Sequence, residues 1–312
     1  MSFSIEIQPQ HQFKRIRIID NELQVHADIL SKGGILNSWI QPPSLINWDL
    51  IDGNTFENGW SNFENNGFKS GKMNPFSCRL NKGTYTHENH SYQFNKFYLG
   101  EHALHGLIYD ADFEIASTNS SENHASVLLE YEYHQYDNGF PFDFTIQLLW
   151  TLWRNNKITI ETTLINQGNN TFPMMDGWHP YFKLGNTIDD CTLQFQCKGI
   201  LEYDKSLIPT GKIIPNTQFN TPQKLAGIEL DNGYLLEEQH LNCILESQQF
   251  RLIVSPSKAY PYLQLYTPPG RKSIAIENLS GAPDCFNNKM GLHIMQPQEV
   301  WTLATSYQLF TL

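Results

Sequence analysis

The sequence predicts an all-β protein, built as a large antiparallel β-sandwich. Apolar and polar residues alternate with a period of two along most of the chain, and no window of 12 or more residues has a convincing helical apolar stripe. Many short strand candidates separated by Gly, Asn and Pro indicate a sandwich or a barrel. No repeat of fixed period and no Pro/Gly/Ser-rich linker divides the chain, so residues 1–312 are predicted to form one domain.

The alternation is clearest in the middle of the chain. In residues 125–135, Leu129 and Tyr131 alternate with Glu130 and Glu132. Residues 143–166 are predicted to form two strands joined at an Asn-Asn pair, which tolerates the positive φ of a tight hairpin. Further strands are predicted at 15–20, 23–30, 84–94, 191–197, 234–238, 243–257, 261–268 and 300–312.

Composition argues against several classes of partner. The formal net charge of −11, from 21 basic and 32 acidic residues, disfavours nucleic acid and anionic membrane surfaces. No segment approaches ~20 consecutive apolar residues, and the N-terminal segment lacks a signal peptide's apolar core, so we expect no membrane span and no cleaved leader. Five cysteines without a C-x-x-C pair predict reduced thiols in a cytoplasmic protein: Cys78, Cys191, Cys197, Cys243 and Cys285.

Two histidines close together are the first candidates for site chemistry. His102 and His105 precede Gly106, which allows close approach of the backbone to a ligand or to another strand. A loop histidine is also commonly a hydrogen-bonded structural group. On these residues alone both interpretations stay open.

A third histidine is embedded among aromatic residues. His179 lies between Trp178 and Pro180, and the proline biases it toward an extended conformation at a strand end or bend. Trp178, Tyr181 and Phe182 offer planar surfaces that suit sugar binding as well as a β core. His179 is therefore either a site residue or a core histidine with one hydrogen bond.

A glutamate follows two small residues on one face of a predicted strand. Ser273, Ala275 and Glu277 share that face, and Ile274 and Ile276 occupy the other. Small residues leave space in front of the carboxylate, and partial burial raises a carboxyl pKa toward the range of a general base. The alternative is a solvated glutamate at a strand end.

Weaker candidates are an arginine and an aspartate near turns. Arg79 lies beside a turn rich in Asn and Gly, and Asp231 starts a D-N-G sequence, where an Asx-turn residue is the ordinary interpretation. Cys285 lacks a basic neighbour in sequence that would lower its pKa, so we expect it to pack. A metal site formed by the histidines and Glu277 is disfavoured, since no H-x-H strand pair accompanies them. Serine-hydrolase, P-loop and dinucleotide-binding motifs are missing from the sequence.

Taken in chain order, these segments resemble the aldose 1-epimerase (galactose mutarotase) family. The resemblance spans roughly residues 25 to 288, and it implies that family's large antiparallel β-sandwich, in agreement with the strand pattern. The motifs are Arg79 after a Pro-Phe turn, L-H-G at 104–106, H-P-Y-F-x-L at 179–184, L-D-N at 230–232 and I-E-N…G-A-P-D at 276–284.

The resemblance implies an enzyme that interconverts the α and β anomers of a free aldose without a cofactor or a metal. Glu277 matches the family's base, His179 its acid, and His105 the second histidine, which hydrogen-bonds the sugar near its ring oxygen. Arg79 and Asp231 match residues that hold the ring hydroxyls. The expected partner is a monosaccharide, with no nucleic acid or membrane, and the chain is expected to be a monomer or a homodimer.

The chain departs from better-known members at positions around these motifs. Those members tend to have Asn where this chain has His102 and a second Gly where it has Leu107. They also tend to have Asn and Ser where this chain has Trp178 and Pro180. We expect His102, Trp178 and Tyr181 to contribute to substrate binding, and the preferred aldose stays open.

Two other functions compete with this one. A non-catalytic carbohydrate-binding sandwich is disfavoured because Glu277, His179 and His105 all stand at motif positions. A hexose-6-phosphate mutarotase would need basic residues at the pocket rim, and the candidates are Arg79, Lys183, Lys72 and Arg271.

Overall fold

The computed structural model describes residues 2–42, 48–56, 63–64 and 66–312, and nearly all regular structure in these ranges is β. One short α-helix, Cys285–Asn288, and two single 3₁₀ turns, Asn81–Gly83 and Ile188–Asp190, interrupt the strands. In chain order the strands are β1 (Phe3–Gln10), β2 (Phe13–Asp20), β3 (Val25–Leu30), β4 (Leu36–Ile40), β5 (Lys72–Met73), β6 (Arg79–Leu80), β7 (Thr84–His87), β8 (His90–Gln93), β9 (Tyr98–Leu99), β10 (His102–Leu104), β11 (Glu114–Ser120), β12 (His124–Tyr133), β13 (Phe144–Trp153), β14 (Lys157–Asn166), β15 (Phe172–Met174), β16 (Gly177–Trp178), β17 (Tyr181–Phe182), β18 (Thr192–Gln194), β19 (Cys197–Tyr203), β20 (Pro209–Ile214), β21 (Gln223–Lys224), β22 (Asp231–Leu236), β23 (Cys243–Glu246), β24 (Phe250–Pro256), β25 (Tyr262–Tyr266), β26 (Ile274–Leu279), β27 (His293–Met295) and β28 (Val300–Thr311).

The largest sheet has nine antiparallel strands in the order β11-β12-β13-β14-β28-β24-β23-β18-β21. Its central strands alternate buried and more exposed residues, as β14 shows with buried Ile158, Ile160 and Leu164. Asn155 and Asn156, at φ 65° and 54°, turn the chain between β13 and β14, so the predicted hairpin is confirmed.

A second sheet carries Glu277, Asp231, Trp178 and Tyr181, which are four of the eight predicted site residues. Its order is β20-β19-β22-β25-β26-β16-β5, with β17 paired to β26 on the far side of a short break. A four-stranded sheet, β1-β2-β3-β4, packs against β12 and β13. Smaller sheets are formed by β6-β10-β9, β15-β27 and β7-β8.

The two large sheets pack face to face, which makes the architecture a sandwich. Trp150 on β13 contacts Trp178 on β16, with ring centroids 5.2 Å apart. Phe182 on β17 contacts Tyr307 on β28 at 5.1 Å. Because β26 lies in this interface on one face, all six of its residues are buried, and its other face is covered by the loops that form the cavity described below.

Several predicted strand boundaries were wrong in the same way. The single strands expected at 84–94 and 243–257 are hairpins, formed by β7 with β8 and by β23 with β24. Both contain polar residues that turn the chain within a stretch of high β propensity. Asp231, for which an Asx turn is the ordinary interpretation of the local sequence, is instead the first residue of β22 and pairs with Tyr266.

The five cysteines are free and buried, as predicted for reduced thiols. Cys285 packs in the core, and burial raises its pKa. In the described ranges, no helix is both long and apolar enough to cross a membrane.

Candidate active site

Three adjacent strands place a carboxylate, an amide and a second carboxylate side by side. Glu277 on β26 pairs with Gln264 on β25, and Asp231 begins β22, the next strand in the sheet. The amide nitrogen of Gln264 donates to Asp231 Oδ1 at 3.0 Å, and the hydroxyl of Tyr203 donates to Gln264 Oε1 at 3.0 Å. This chain of hydrogen bonds fixes both the amide orientation and the Asp231 carboxylate.

His179 lies in the short break between β16 and β17, both of which pair with β26. Its backbone N–H donates to the carbonyl of Gly71 at 3.1 Å, and its carbonyl accepts from the N–H of Ser70 at 2.9 Å. The proline after it keeps the chain extended. These constraints bring His179 Nε2 to 3.4 Å from Glu277 Oε1.

A left-handed backbone turn places His105 beside His179. His105 has φ 59°, and the two rings lie edge to face with centroids 5.0 Å apart. The N–H of Cys78 donates to His105 Nδ1 at 3.2 Å, so the neutral ring carries its proton on Nε2. Gly106 follows at φ 77°, and a Cβ there would lie 2.2 Å from the carbonyl oxygen of Asn74. The close approach predicted for this glycine is thus to another segment of the chain.

These groups face one cavity of about 440 Å³, which is large enough for a small ligand. Apolar rings and aliphatic side chains form part of its wall, and polar groups converge on the rest. The described residues that line it are Glu64, Gly67, Phe68, Cys78, Arg79, Phe97, Leu99, Leu104, His105, His179, Tyr181, Asp231, Gln264, Tyr266 and Glu277.

Burial shifts the pKa values of Glu277 and His179 in opposite directions. It raises the pKa of Glu277 well above the usual range, and the nearby Asp231 carboxylate adds to this rise. It lowers the pKa of His179 to about 4. The pKa of His105 is also lowered well below its usual value, chiefly by burial and further by His179 and Arg79.

The opposed pKa shifts of Glu277 and His179 determine which protonation states the pair can adopt. Burial alone favours a protonated Glu277 and a neutral His179, since both are then uncharged. The ion pair of a Glu277 carboxylate and a His179 imidazolium holds the same number of protons. The two states differ only by the position of one proton across a 3.4 Å gap.

Most of the predicted site residues meet at the cavity, and two do not. Arg79, Asp231 and Tyr181 line it beside the three predicted acid–base residues. His102 is turned away, and its Nδ1 accepts from the N–H of Lys82 at 3.1 Å. Trp178 is buried between the sheets against Trp150. Neither His102 nor Trp178 is therefore among the described residues that line the cavity.

A buried polar network supports the strands behind His179. The ammonium of Lys72 contacts Asp176, and both side chains are completely buried. Asp176 also accepts from the hydroxyl of Tyr260 at 2.6 Å and from the amide of Asn74 at 3.0 Å. Lys72 lies 4.2 Å from the ring centre of Trp178, the residue before His179. Burial lowers the pKa of Lys72 to about 8, with Asp176 opposing the shift.

The sequence did not predict the other lining residues as site residues, among them Gln264, Cys78, Phe68 and Tyr266. Gln264 had a detectable signal, because it is the one polar residue between Leu263 and Leu265 in a predicted strand. Phe68 and Cys78 lie in irregular segments with φ 52° and 54°, which carry no periodic pattern.

No group of three or more His, Cys, Asp or Glu side chains is arranged to hold a metal ion within the described part of the chain. Fold and cavity together define a β-sandwich with a buried carboxylate–imidazole pair in a pocket. Residues 15–308 match the family model of aldose 1-epimerase, and the chain belongs to that family.

Two similar proteins each match more than half of the chain. The uncharacterized protein YihR of Escherichia coli K12 is 23% identical over 232 residues, which cover 71% of this chain and 73% of that protein. An aldose 1-epimerase of Streptococcus thermophilus is 28% identical over 197 residues, covering 56% of this chain and 54% of that protein, so the match spans about half of its length.

Solved structures share the fold at low sequence identity. A galactose mutarotase-like protein of Clostridium acetobutylicum superposes with a TM-score of 0.86 and 16% identity, covering 100% of this chain and 99% of that chain. Galactose 1-epimerase of Lactobacillus acidophilus superposes with a TM-score of 0.83 and 16% identity. The match covers 99% of this chain and 98% of that chain. The predicted all-β antiparallel sandwich of the galactose mutarotase-like type is confirmed.

Proposed function

We propose that this protein is an aldose 1-epimerase that interconverts the α and β anomers of a free monosaccharide, with Glu277 as the base and His179 as the acid. The observation that carries the proposal is the 3.4 Å approach of His179 Nε2 to Glu277 Oε1 in the cavity. A base and an acid on one small cavity suit a reaction that removes one proton and delivers another nearby.

Ring opening follows from that pair. The Glu277 carboxylate takes the proton of the C1 hydroxyl, and the C1–O1 bond becomes a carbonyl. The bond between C1 and the ring oxygen breaks, and its electron pair takes the proton of the His179 imidazolium. Rotation about C1–C2 turns the other carbonyl face to the hydroxyl, and the reverse transfers close the ring as the other anomer.

The number of protons held by Glu277 and His179 together is restored after each round of ring opening and closure. Opening converts an ionised Glu277–His179 pair into the neutral pair, and closure restores the ions without exchange of protons with solvent. Burial favours the neutral pair, so it stabilises the state that accompanies the open-chain aldehyde. The ionised pair needs donors and acceptors around it, and the sugar hydroxyls supply them.

Other lining groups hold the sugar. His105, with its proton on Nε2, is a donor for the ring oxygen or a neighbouring hydroxyl. Arg79 forms no hydrogen bond or ion pair through its guanidinium with any described residue, so its donors are free for hydroxyls. Asp231 and Gln264 accept from and donate to adjacent hydroxyls, and Tyr181 offers a ring face.

The charges around the cavity support a substrate without phosphate. Arg79 is the one Lys or Arg among the described lining residues, against the carboxyl groups of Glu64, Asp231 and Glu277. Two of the other three candidate cations are engaged elsewhere, since Lys72 is buried against Asp176 and Arg271 is paired with Asp189 at 2.7 Å. The third, Lys183, is not among the described lining residues.

The test is anomer exchange of freshly dissolved α-D-glucose and α-D-galactose, followed by polarimetry or exchange NMR. Glu277→Gln and His179→Asn should each lower kcat by about 10²–10⁴-fold, because each removes one proton-transfer group. Matched surface variants, Glu101→Gln and His240→Asn, should leave kcat unchanged, since both positions are exposed.

Circular dichroism and thermal unfolding of all four variants separate a loss of chemistry from a loss of fold. A folded Glu277→Gln enzyme with an unchanged rate would overturn the assignment of the base. The 6-phosphates of both sugars belong in the same assay. A higher kcat/KM for a phosphate than for its free sugar would contradict the argument from charge.

A further inference from the structure

A second cavity, of about 600 Å³, lies behind the segment that carries His105. Residues 95–112 separate it from the catalytic cavity. Phe97, Leu104 and His105 face the catalytic cavity, whereas Lys96 and Leu107 face the second one. The rest of its lining comes from Lys32, Asn95, Asp110, Ala111, Asp112, Tyr131, Tyr133, Tyr136 and Asp137.

Three tyrosines from the end of β12 and the following loop form one wall of this cavity. Tyr136 is 68% exposed, and its ring packs edge to face on Tyr133, with centroids 5.6 Å apart. Tyr133 is held by a hydrogen bond from its hydroxyl to the carbonyl of Phe140 at 3.1 Å. The phenol groups of Tyr131 and Tyr136 make no hydrogen bond with any described residue. The wall therefore combines a supported ring surface with two free hydroxyl groups.

Both lysines of the cavity are paired within the protein. Lys96 pairs with Asp110, and Lys32 pairs with Asp112 at 3.0 Å. Asp137 has no cationic partner among the described residues, but its two oxygens accept from the backbone N–H groups of Asn95 and Gly139 at 2.9 and 2.7 Å. An anionic ligand would have to displace an aspartate from its lysine, whereas a neutral ligand rich in hydroxyl groups can add hydrogen bonds to carboxylate oxygens that remain accessible.

We infer that this cavity is a second saccharide site, which binds a neutral pyranose with one face on the Tyr136 ring. Amphipathic aromatic rings with adjacent carboxylates and free phenol groups match the alternating apolar faces and hydroxyl edges of a pyranose. The site lies outside the acid–base pair, so it binds sugar without converting it. It is independent of the reaction proposed for the catalytic cavity.

The experiment is a titration of the full chain, labelled with 3-fluorotyrosine, against methyl α-D-galactopyranoside and methyl α-D-glucopyranoside. These glycosides are neutral and cannot open their rings, so the ¹⁹F spectrum reports binding alone. Tyrosine-to-phenylalanine variants assign the resonances of Tyr131, Tyr136 and Tyr266. Tyr266 lines the catalytic cavity and serves as the internal comparison.

We expect saturable shifts at Tyr131 and Tyr136 with at least one of the glycosides. Tyr136→Ala should raise the Kd measured at Tyr131 about 10-fold, the upper range for loss of one aromatic contact, and leave the Tyr266 titration unchanged. Phe310→Ala, which removes an exposed ring on β28, should change neither curve.

Absent or non-saturating shifts at Tyr131 and Tyr136 with both sugars would overturn the second site, whether or not Tyr266 responds. An equal effect of Tyr136→Ala and Phe310→Ala on the Tyr131 curve would also overturn it. Anomer exchange by the unlabelled enzyme is measured separately, so failure of this site and failure of the proposed reaction give different results.

Discussion

Removal of the buried cation Lys72 tests whether the network behind His179 holds the two sheets together. Lys72→Met leaves Asp176 completely buried without its ionic partner, although the donors of Tyr260 and Asn74 remain. The carboxylate is then buried without compensation for its charge. Removal of one partner of a buried ion pair typically costs roughly 3–5 kcal/mol, so we expect Lys72→Met to lower the free energy of unfolding by about 4 kcal/mol.

Urea unfolding of the parent and of the variant measures this loss. Equal slopes of the two unfolding curves would show that the same amount of surface is exposed in both proteins.

The double variant Lys72→Met/Asp176→Asn provides the control. An amide carries no charge and still accepts from Tyr260, so it should recover at least about 2 kcal/mol of the loss. A Lys72→Met loss below about 1 kcal/mol would refute the reasoning.

Two further predictions concern the site. Glu277 and His179 share one proton over the whole range between their shifted pKa values. A plot of kcat/KM against pH should therefore be flat through pH 6.5 and decline on the acid side only toward pH 4. An acid-side decline in kcat/KM centred between pH 6 and 7 would contradict this. Tyr203→Phe removes the hydroxyl that orients Gln264 toward Asp231, so KM for the sugar should rise about 2- to 10-fold with little change in kcat, as initial rates would show.

The sequence by itself determined the fold class and predicted most of the residues proposed to carry the chemistry. Alternation of period two along β12, β13, β14 and β28 was sufficient to predict long antiparallel strands. A strand with one face in the core has apolar residues at every second position, so its own sequence shows which face is buried. The ordered motifs around Arg79, His105, His179, Asp231 and Glu277 identified all five of these residues, and the structure brings them to one cavity.

Only the tertiary structure decided which neighbours share that cavity. His102 is three residues from His105, yet a left-handed turn at His105 separates their side chains. Trp178 is adjacent to His179, yet it points between the sheets, because successive side chains of an extended segment lie on opposite faces. Gln264 enters the site through its pairing with Glu277, a contact between strands that no local pattern encodes.

The same distinction applies to the protonation of the site. A carboxylate and an imidazole have ordinary pKa values in any sequence, and their residue types alone indicate only which groups can transfer a proton. Packing of the loops over β26 removes water from Glu277 and His179 and shifts the two pKa values in opposite directions. Residue types and their order therefore predict which groups could transfer protons, whereas the pKa values of those groups depend on burial, which exists only in the folded chain.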